Sequence, residues 1–384
     1  MLPYWRLSGF YFCYFALLGG VAPFLSLYFH HLGFSAARIG ELIAIPMLMR
    51  CLAPNLWGWL GDRSGQRLLI VRLGALLTAL TFSAILWRQD YLWLALIMAL
   101  HSFFWHAVLP QFETITLAHL GTQSARYSQI RLWGSVGFIV TVVVLGLLLD
   151  RYSPDIYPQV MLAIMLGIFF CSLLVPPAPV VASRPELALR AGFLGQLWRP
   201  GVPVFFLCVA LMQLSHGPYY TFLTLHLEAL GYGRVLIGAM WALGVVAEII
   251  LFMLMSRLLA RFSLKQLLIG SFLLAAVRWL LLGLLADQLV LLAFAQLMHA
   301  ATFGCFHVVA IHFVQRSFGE RQQGQGQALY ATLAGCGGAL GALYSGYSWN
   351  ALGTGWTFAL ASLAASLAAF LLVWRMPGRL VDGL

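Results

Sequence analysis

Five ionisable side chains stand in stretches that are otherwise apolar: Arg50, Glu113, Arg131, Glu248 and Arg278. An ionisable group at the centre of a bilayer costs about 2.5–3.5 kcal/mol even on lenient insertion scales, so each of the five is a functional candidate. Such residues can do two kinds of chemistry. The planar fork of an arginine grips a carboxylate or a pair of hydroxyls, and a carboxylate takes up or releases a proton as a neighbouring cation withdraws or approaches. Imidazoles, which titrate near neutral pH, add a third carrier. Here His299 reads either as a proton relay or as a hydrogen-bonded packing group, while His101, His106 and His312 read as structural. No nucleophile and base occur at workable spacing, and no His or Cys cluster has metal-ligand spacing; neither an enzymatic step, a metal nor a cofactor is expected.

These ions need elements to hold them. The chain has 384 residues, 62% of them hydrophobic and 9% charged, with a mean hydropathy of +0.89, which implies a polytopic membrane protein. A hydrocarbon core takes roughly 20 helical residues to cross. Twelve stretches qualify, near 7–30, 39–60, 68–87, 91–117, 127–149, 157–175, 202–228, 235–257, 265–286, 289–315, 326–349 and 355–374. Membrane strands would be about ten alternating residues long, so the expected fold class is all-α. The first span follows only Arg6 and lacks a cleavage site, so it reads as a retained span.

Of the 22 Lys and Arg, three lie within spans and four (Arg38, Arg88, Arg151, Arg234) lie in loops on one side, which leaves fifteen on the other. Positive residues are held inside, so both termini are expected on the cytoplasmic side of a cell membrane. The same bias explains the net charge of +10 without nucleic-acid binding. The six cysteines, all within spans and without paired spacing, read as small packing residues.

The loop Gly58-Trp59-Leu60-Gly61-Asp62-Arg63-Ser64-Gly65-Gln66-Arg67 must surface between two spans, and Gly65 permits a turn closed to other residues. It returns in degraded form 198 residues later. At that offset Arg63 meets Arg261, Arg67 meets Lys265, Gly33 meets Gly231, Gly40 meets Gly238 and His101 meets His299, a pattern of internal repeats. Arg50 falls on Glu248 by the same count. The polar stretch 176–200, with a short surface helix or an irregular tether between Glu186 and Trp198, divides an N-terminal bundle (1–175) from a C-terminal one (201–384). A cargo site between two such halves can face either side in turn. Gly134 and Gly137 in span five, and Gly337 and Gly341 in span eleven, are expected to let backbones approach, either where the halves rock or as static packing of small residues.

Glu113 and Arg131 each lie about nine residues from the turn near 122 and 123, so in an antiparallel hairpin both lie roughly 13 Å deep and could pair across spans four and five. Glu248 has no partner within its own span. Three buried arginines against two acids favour an anionic cargo, and Trp105, Tyr219, Tyr220, Trp241 and Trp279 could flank a planar ring.

The Gly58–Arg67 loop resembles the signature between the second and third helices of the major facilitator superfamily. With twelve spans and a repeat, the resemblance covers the whole chain. It implies two six-helix bundles and a role for Gly58, Asp62, Arg63, Gly65 and Arg67 in switching conformation. Tyr127-Ser128-Gln129-Ile130-Arg131-Leu132-Trp133-Gly134-Ser135-Val136-Gly137-Phe138 is similar to the fifth-helix signature of galactoside/proton symporters and phenylpropionate permeases, closer to the latter. That resemblance implies substrate binding by Glu113, Arg131 and Glu248, and proton coupling through Glu248, Arg278 and His299. The chain departs from the sugar branch in two places: Thr302 stands where an acid is expected, and span seven shows His216-Gly217-Pro218-Tyr219-Tyr220 in place of its acid. The reading is therefore a proton-coupled symporter importing a small aromatic carboxylate, working as a monomer in the lipid bilayer. A sugar or nucleoside symporter, an exporter and a ligand-binding receptor are the alternatives.

Overall fold

The computed structural model describes residues 2–178, 193–318 and 322–376, and among these every regular element is helical. The first six long helices are α1 (Tyr4–His31), α2 (Ala36–Ser64), α3 (Arg67–Ser83), α4 (Tyr91–Leu120), α5 (Tyr127–Arg151) and α6 (Tyr157–Leu174). Six more follow: α7 (Val202–Ala229), α8 (Arg234–Arg261), α9 (Leu264–Leu284), α10 (Leu289–Ser317), α11 (Gln323–Leu352) and α12 (Thr354–Arg375). Each predicted span coincides with one of them. Ten are long and apolar enough to cross a membrane. The other two, α2 with 29 residues and α11 with 30, have the length but not the hydropathy. α2 carries Arg38, Glu41, Arg50, Asp62 and Arg63, and α11 opens on Gln323, Gln325 and Gln327.

Local chemistry sets the helix ends. Ser35, Asp90 and Ser263 cap α2, α4 and α9 through side-chain oxygens, and Ser263 forms a full capping box with Gln266. Gly65 ends α2 at φ +66°, the left-handed conformation anticipated for the loop. The repeat extends to backbone geometry, since Gly33 and Gly231 turn at φ +85° and +87°.

The chain divides into two compact units, Met1–Leu187 with Gly233–Ala239, and Ala188–Tyr232 with Met240–Leu384. Within the first, α1 packs on α5 and α6, α3 on α4 and α6, and α2 on α4. Within the second, α7 packs on α11 and α12, and α9 on α10 and α12, the same pattern advanced by six helices. A basic residue ties two helix ends in matching fashion: Arg72 donates to the carbonyls of Ser172, Leu173 and Val175 at the C-terminal end of α6, and Lys265 to those of Val373 and Met376 at that of α12. The first turn of α8 belongs to the first unit. There the Asp150 carboxylate accepts from the amides of Arg234 and Val235 at 2.9 and 3.0 Å, an N-cap supplied by another helix.

The close-packing glycines bring helices together within the units, in keeping with the static-packing reading. A side chain at Gly137 would strike the Phe12 backbone of α1, and one at Gly337 the Ala210 backbone of α7. Gly19 on α1 and Gly217 on α7, themselves 198 residues apart, meet α5 and α11 in the same way. Small residues there let two helices come together by van der Waals packing, the main attraction available where lipid is as apolar as the side chains. Two cysteines that sequence spacing did not pair, Cys13 on α1 and Cys171 on α6, bring their sulfurs to 3.7 Å as free thiols.

Most of the linker and the start of its predicted helix lie outside the described residues. The described end is a short helix, Phe193–Leu197, whose Phe193 ring stacks on Phe318 with centroids 5.3 Å apart.

Replacing Gly137 with Leu forces α1 and α5 apart. The expected cost is about 1–3 kcal/mol, read as a lowered thermal unfolding midpoint of the purified protein, whereas Gly58→Leu, which meets open space, leaves the midpoint near wild type. Equal midpoints for the two variants would refute the close-packing role.

Candidate functional site

In the first unit, α4 and α5 run antiparallel about the turn Gly121–Arg126, which brings Glu113 and the start of α5 to one level. The Tyr127 hydroxyl donates to Glu113 Oε1 at 3.1 Å. Arg131 lies elsewhere, its guanidinium carbon 3.6 Å from the centre of the Phe15 ring and 5.8 Å from that of Tyr11. Among the described residues no ion pair joins Glu113 to Arg131. The pairing that sequence depth allowed is not made, because each ion has a different neighbour: a phenol for the acid and an aromatic face for the base.

Gly134 makes that arrangement possible. A Cβ there would lie 2.6 Å from Phe15 Cδ2 and 2.8 Å from Arg131 Nη1, so only a bare α-carbon leaves room for both. Tyr11 sits at the centre of the group. Its hydroxyl donates to Thr116 at 3.2 Å, and its ring lies edge-on to Phe112 and Tyr127. Tyr14 and Trp105 continue the aromatic wall, with centroids 5.7 Å apart. Arg50 is exposed, and no described carboxylate pairs with it.

In the second unit the resemblance-derived residues do come together. His299 on α10 approaches Glu248 on α8, Nε2 to Oε2 at 3.9 Å, with both side chains largely buried. Gly304 faces Glu248, where a Cβ would stand 3.0 Å from its Cγ. Arg278 on α9 is fully buried; Nε donates to the Ala295 carbonyl at 2.9 Å and Nη1 to Thr302 Oγ1 at 3.0 Å. Its guanidinium carbon lies 4.2 Å from the Tyr219 ring centre and 4.7 Å from that of Trp279. Tyr219 in turn donates to Gln296 Oε1 at 3.0 Å and stacks on His299 at 5.6 Å. Thus Thr302, in place of an acid, gives Arg278 a hydroxyl and no countercharge.

A π segment, Ala300–Cys305, interrupts α10 beside these groups. Its wider turn keeps residues four apart in file, and the rings of His299, Phe303 and His307 stack at 5.2 and 6.4 Å. His307 ends the file 2.9 Å from the Tyr330 hydroxyl. The first unit has a lesser version, His101 stacked on Trp105 at 5.8 Å, 198 residues before His299 and Phe303.

The α2–α3 turn is built around Arg67. One Nη of Arg67 pairs closely with Asp62, and the other donates to Gln111 Oε1 at 2.6 Å; Gln111 Nε2 donates onward to the Trp57 carbonyl. Arg63 instead lies over the Trp59 ring, exposed. Gly61 is required by the same cluster, since a Cβ there would come within 2.6 Å of Gln111 Oε1. Gly58 meets nothing and has no packing role. Sequence reasoning missed Gln111, Tyr127, Phe15 and Gln296, which are uncharged. Only Tyr127, at the head of the α5 signature, carried a signal.

A model of the MFS_1 like family matches residues 4–360. The chain belongs to the MFS_1 like family. This family member is a major facilitator secondary transporter, and the family and its relatives are transporters, not enzymes. It is 29% identical over 367 residues, 92% of its length and 94% of the relative's, to a "Probable 3-phenylpropionic acid transporter" of Escherichia coli (strain K12). It is 27% identical over 347 residues, 87% of its length and 84% of the other's, to a maltose permease of Geobacillus stearothermophilus. Its fold superposes on that of the nucleoside transporter NupG with a TM-score of 0.84 at 19% identity, over 97% of this chain and 98% of that one.

The Arg67 cluster generates a prediction for this MFS_1 like transporter. Gln111→Leu removes one of two acceptors from a partly buried guanidinium, a loss of about 1–3 kcal/mol. Transport turnover should fall roughly tenfold while the protein stays folded, and wild-type turnover would show that transport does not depend on the Gln111 contact.

Proposed function

We propose that the protein is a proton-coupled symporter that imports a small aromatic carboxylate, such as 3-phenylpropionate, by alternating access. The observation that carries this reading is Arg131: a cation that no described carboxylate pairs with, laid against Phe15 and Tyr11 and continued by Tyr14 and Trp105. A cation beside aromatic rings suits a cargo with a carboxylate at one end and a ring at the other. Resemblance to the Escherichia coli protein supports the same substrate class.

Glu113 and Glu248 complete the binding set. Glu113 holds Tyr127, and the pair offers hydroxyl-directed contacts. That feature, with the maltose permease likeness, favours a sugar as the second reading. Glu248, with His299 beside it and Arg278 in the same bundle, carries the proton. Proton uptake by a carboxylate responds to the approach or withdrawal of a cation, and in this reading cargo binding changes the charge that Glu248 meets. The Asp62–Arg67–Gln111 cluster, with Arg63 and Gly65, serves as the switch between states. The protein works as a monomer in the inner membrane with both termini in the cytoplasm, an orientation supported by the arginine bias of the loops.

Uptake of labelled 3-phenylpropionate, a galactoside and a nucleoside into right-side-out vesicles, with and without an inward proton gradient, tests the reading. The expected result is gradient-driven accumulation of the phenylpropionate alone. Glu248→Gln should abolish accumulation and keep the protein in the membrane. Undiminished accumulation in that variant would remove Glu248 from coupling, and preference for the galactoside would move the substrate to the second reading.

A further inference from the structure

Two of the six cysteines face each other across α1 and α6, helices that pack together within the first unit. Cys13 Sγ and Cys171 Sγ stand 3.7 Å apart, both as free thiols and both half-buried. Cys51 and Cys208, by contrast, direct their sulfurs at carbonyls, those of Met47 at 3.5 Å and Ala368 at 3.6 Å. A glycine of each helix lies opposite the other's thiol. At Gly9, one turn before Cys13, a Cβ would come 3.9 Å from the Cys171 sulfur. At Gly167, one turn before Cys171, a Cβ would come 3.5 Å from that of Cys13. A methyl group at either place would already touch the thiol, so glycine leaves each sulfur room to turn about its own Cα–Cβ bond.

Apolar packing alone does not call for this set. At the repeat offset the four positions become Leu207, Leu211, Ala365 and Ala369, on α7 and α12, which pack together in the second unit as α1 and α6 do in the first. The same seam is filled by leucine and alanine in one unit and by two glycines and two thiols in the other. The pair is also placed for a reagent that arrives through the membrane. Phe170 and Leu174, on either side of Cys171, are exposed, so apolar surface leads to the sulfurs. Cys171 lies within a turn of the end of α6, where Arg72 donates to the carbonyls of Ser172, Leu173 and Val175. A guanidinium keeps to the level that water and headgroups reach. At that level a thiol can lose its proton and attack as the thiolate.

We propose that Cys13 and Cys171 form a reversible disulfide that locks α1 to α6, with a neutral quinone dissolved in the bilayer as the oxidant. Two S–H bonds break and one S–S bond forms; the two electrons and two protons pass to the quinone, which leaves as the quinol. The bond joins residues 158 apart in the chain. On α1 it lies between Tyr11 and Phe15, the rings against Arg131, so it fixes the helix that carries them without entering the cargo site. The site is independent of what the cargo is and of whether protons drive it.

The test reads the bond and not uptake, so it can fail while the transport reading stands. Purified, reduced protein is incubated with decylubiquinone, whose fully substituted ring oxidises thiols without adding to them. Remaining thiols are capped with a maleimide in denaturant and counted by intact mass. The expected result is the loss of two of the six thiols, a peptide joining 13 to 171 in the unreduced digest, and recovery of both thiols with dithiothreitol. While the link is in place the thermal midpoint should stand about 2 °C or more higher. Cys13→Ser and Cys171→Ala should each keep every remaining thiol under the same treatment. Should a variant not fold, the wild-type digest decides alone. Six free thiols after the quinone, a link between other cysteines, thiol loss in the single variants equal to the wild type, or an unshifted midpoint in linked protein would each overturn the proposal.

Discussion

A charge inside a membrane protein must be met by something, and how each buried ion is met orders the rest of this structure. Coulombic interactions are strong where water is scarce, and an ion pair between the two nearest opposite charges is the simplest answer. This protein does not use it where it was most expected. Arg131 rests on Phe15 in a space opened by Gly134, and Glu113 accepts from Tyr127. Each ion is held by a neighbour that can release it at modest cost, since cation–π contacts are worth about 0.5–2 kcal/mol. An ion pair would bind the two side chains to each other and leave less for a cargo.

The second unit shows the same economy in another form. Arg278 is buried against Tyr219 and Trp279 with hydrogen bonds to uncharged oxygens, and His299 rather than an arginine stands beside Glu248. The π segment of α10 lines His299, Phe303 and His307 along one face. Both units therefore present ions set in aromatic surroundings, one beside a phenol, the other beside an imidazole. The close backbone packing of α1 on α5 and of α7 on α11 gives these side chains a rigid frame.

What the sequence revealed follows from which signals are local. The positions of the long helices came from hydropathy, and Gly65 from the conformation that its turn requires. The 198-residue repeat paired Gly33 with Gly231, and the structure gives both the same turn and extends the repeat to stacked ring pairs at His101 and His299. Tertiary choices were not legible. Equal depth put Glu113 and Arg131 near each other, yet rotamers and the Phe15 face decided against a pair. Gln111 and Gln296 carry no charge to draw notice, although each satisfies a partner on another helix. The glycines of α5 and α11 announced close approach without saying to which helix. A π segment leaves no sequence mark, and α2 and α11 fall short of spanning hydropathy because they carry the polar residues of the α2–α3 turn and a glutamine-rich start.

The central claim is that Arg131, uncommitted to an acid, is the group that takes the cargo's carboxylate through its planar fork. Direct binding of 3-phenylpropionate to purified wild-type protein and to Arg131→Lys, by calorimetry at fixed pH, tests it most directly. The account predicts measurable affinity in the wild type and a loss of at least about tenfold with lysine, which keeps the charge but not the two-pronged geometry. Equal affinity in the two proteins would contradict it.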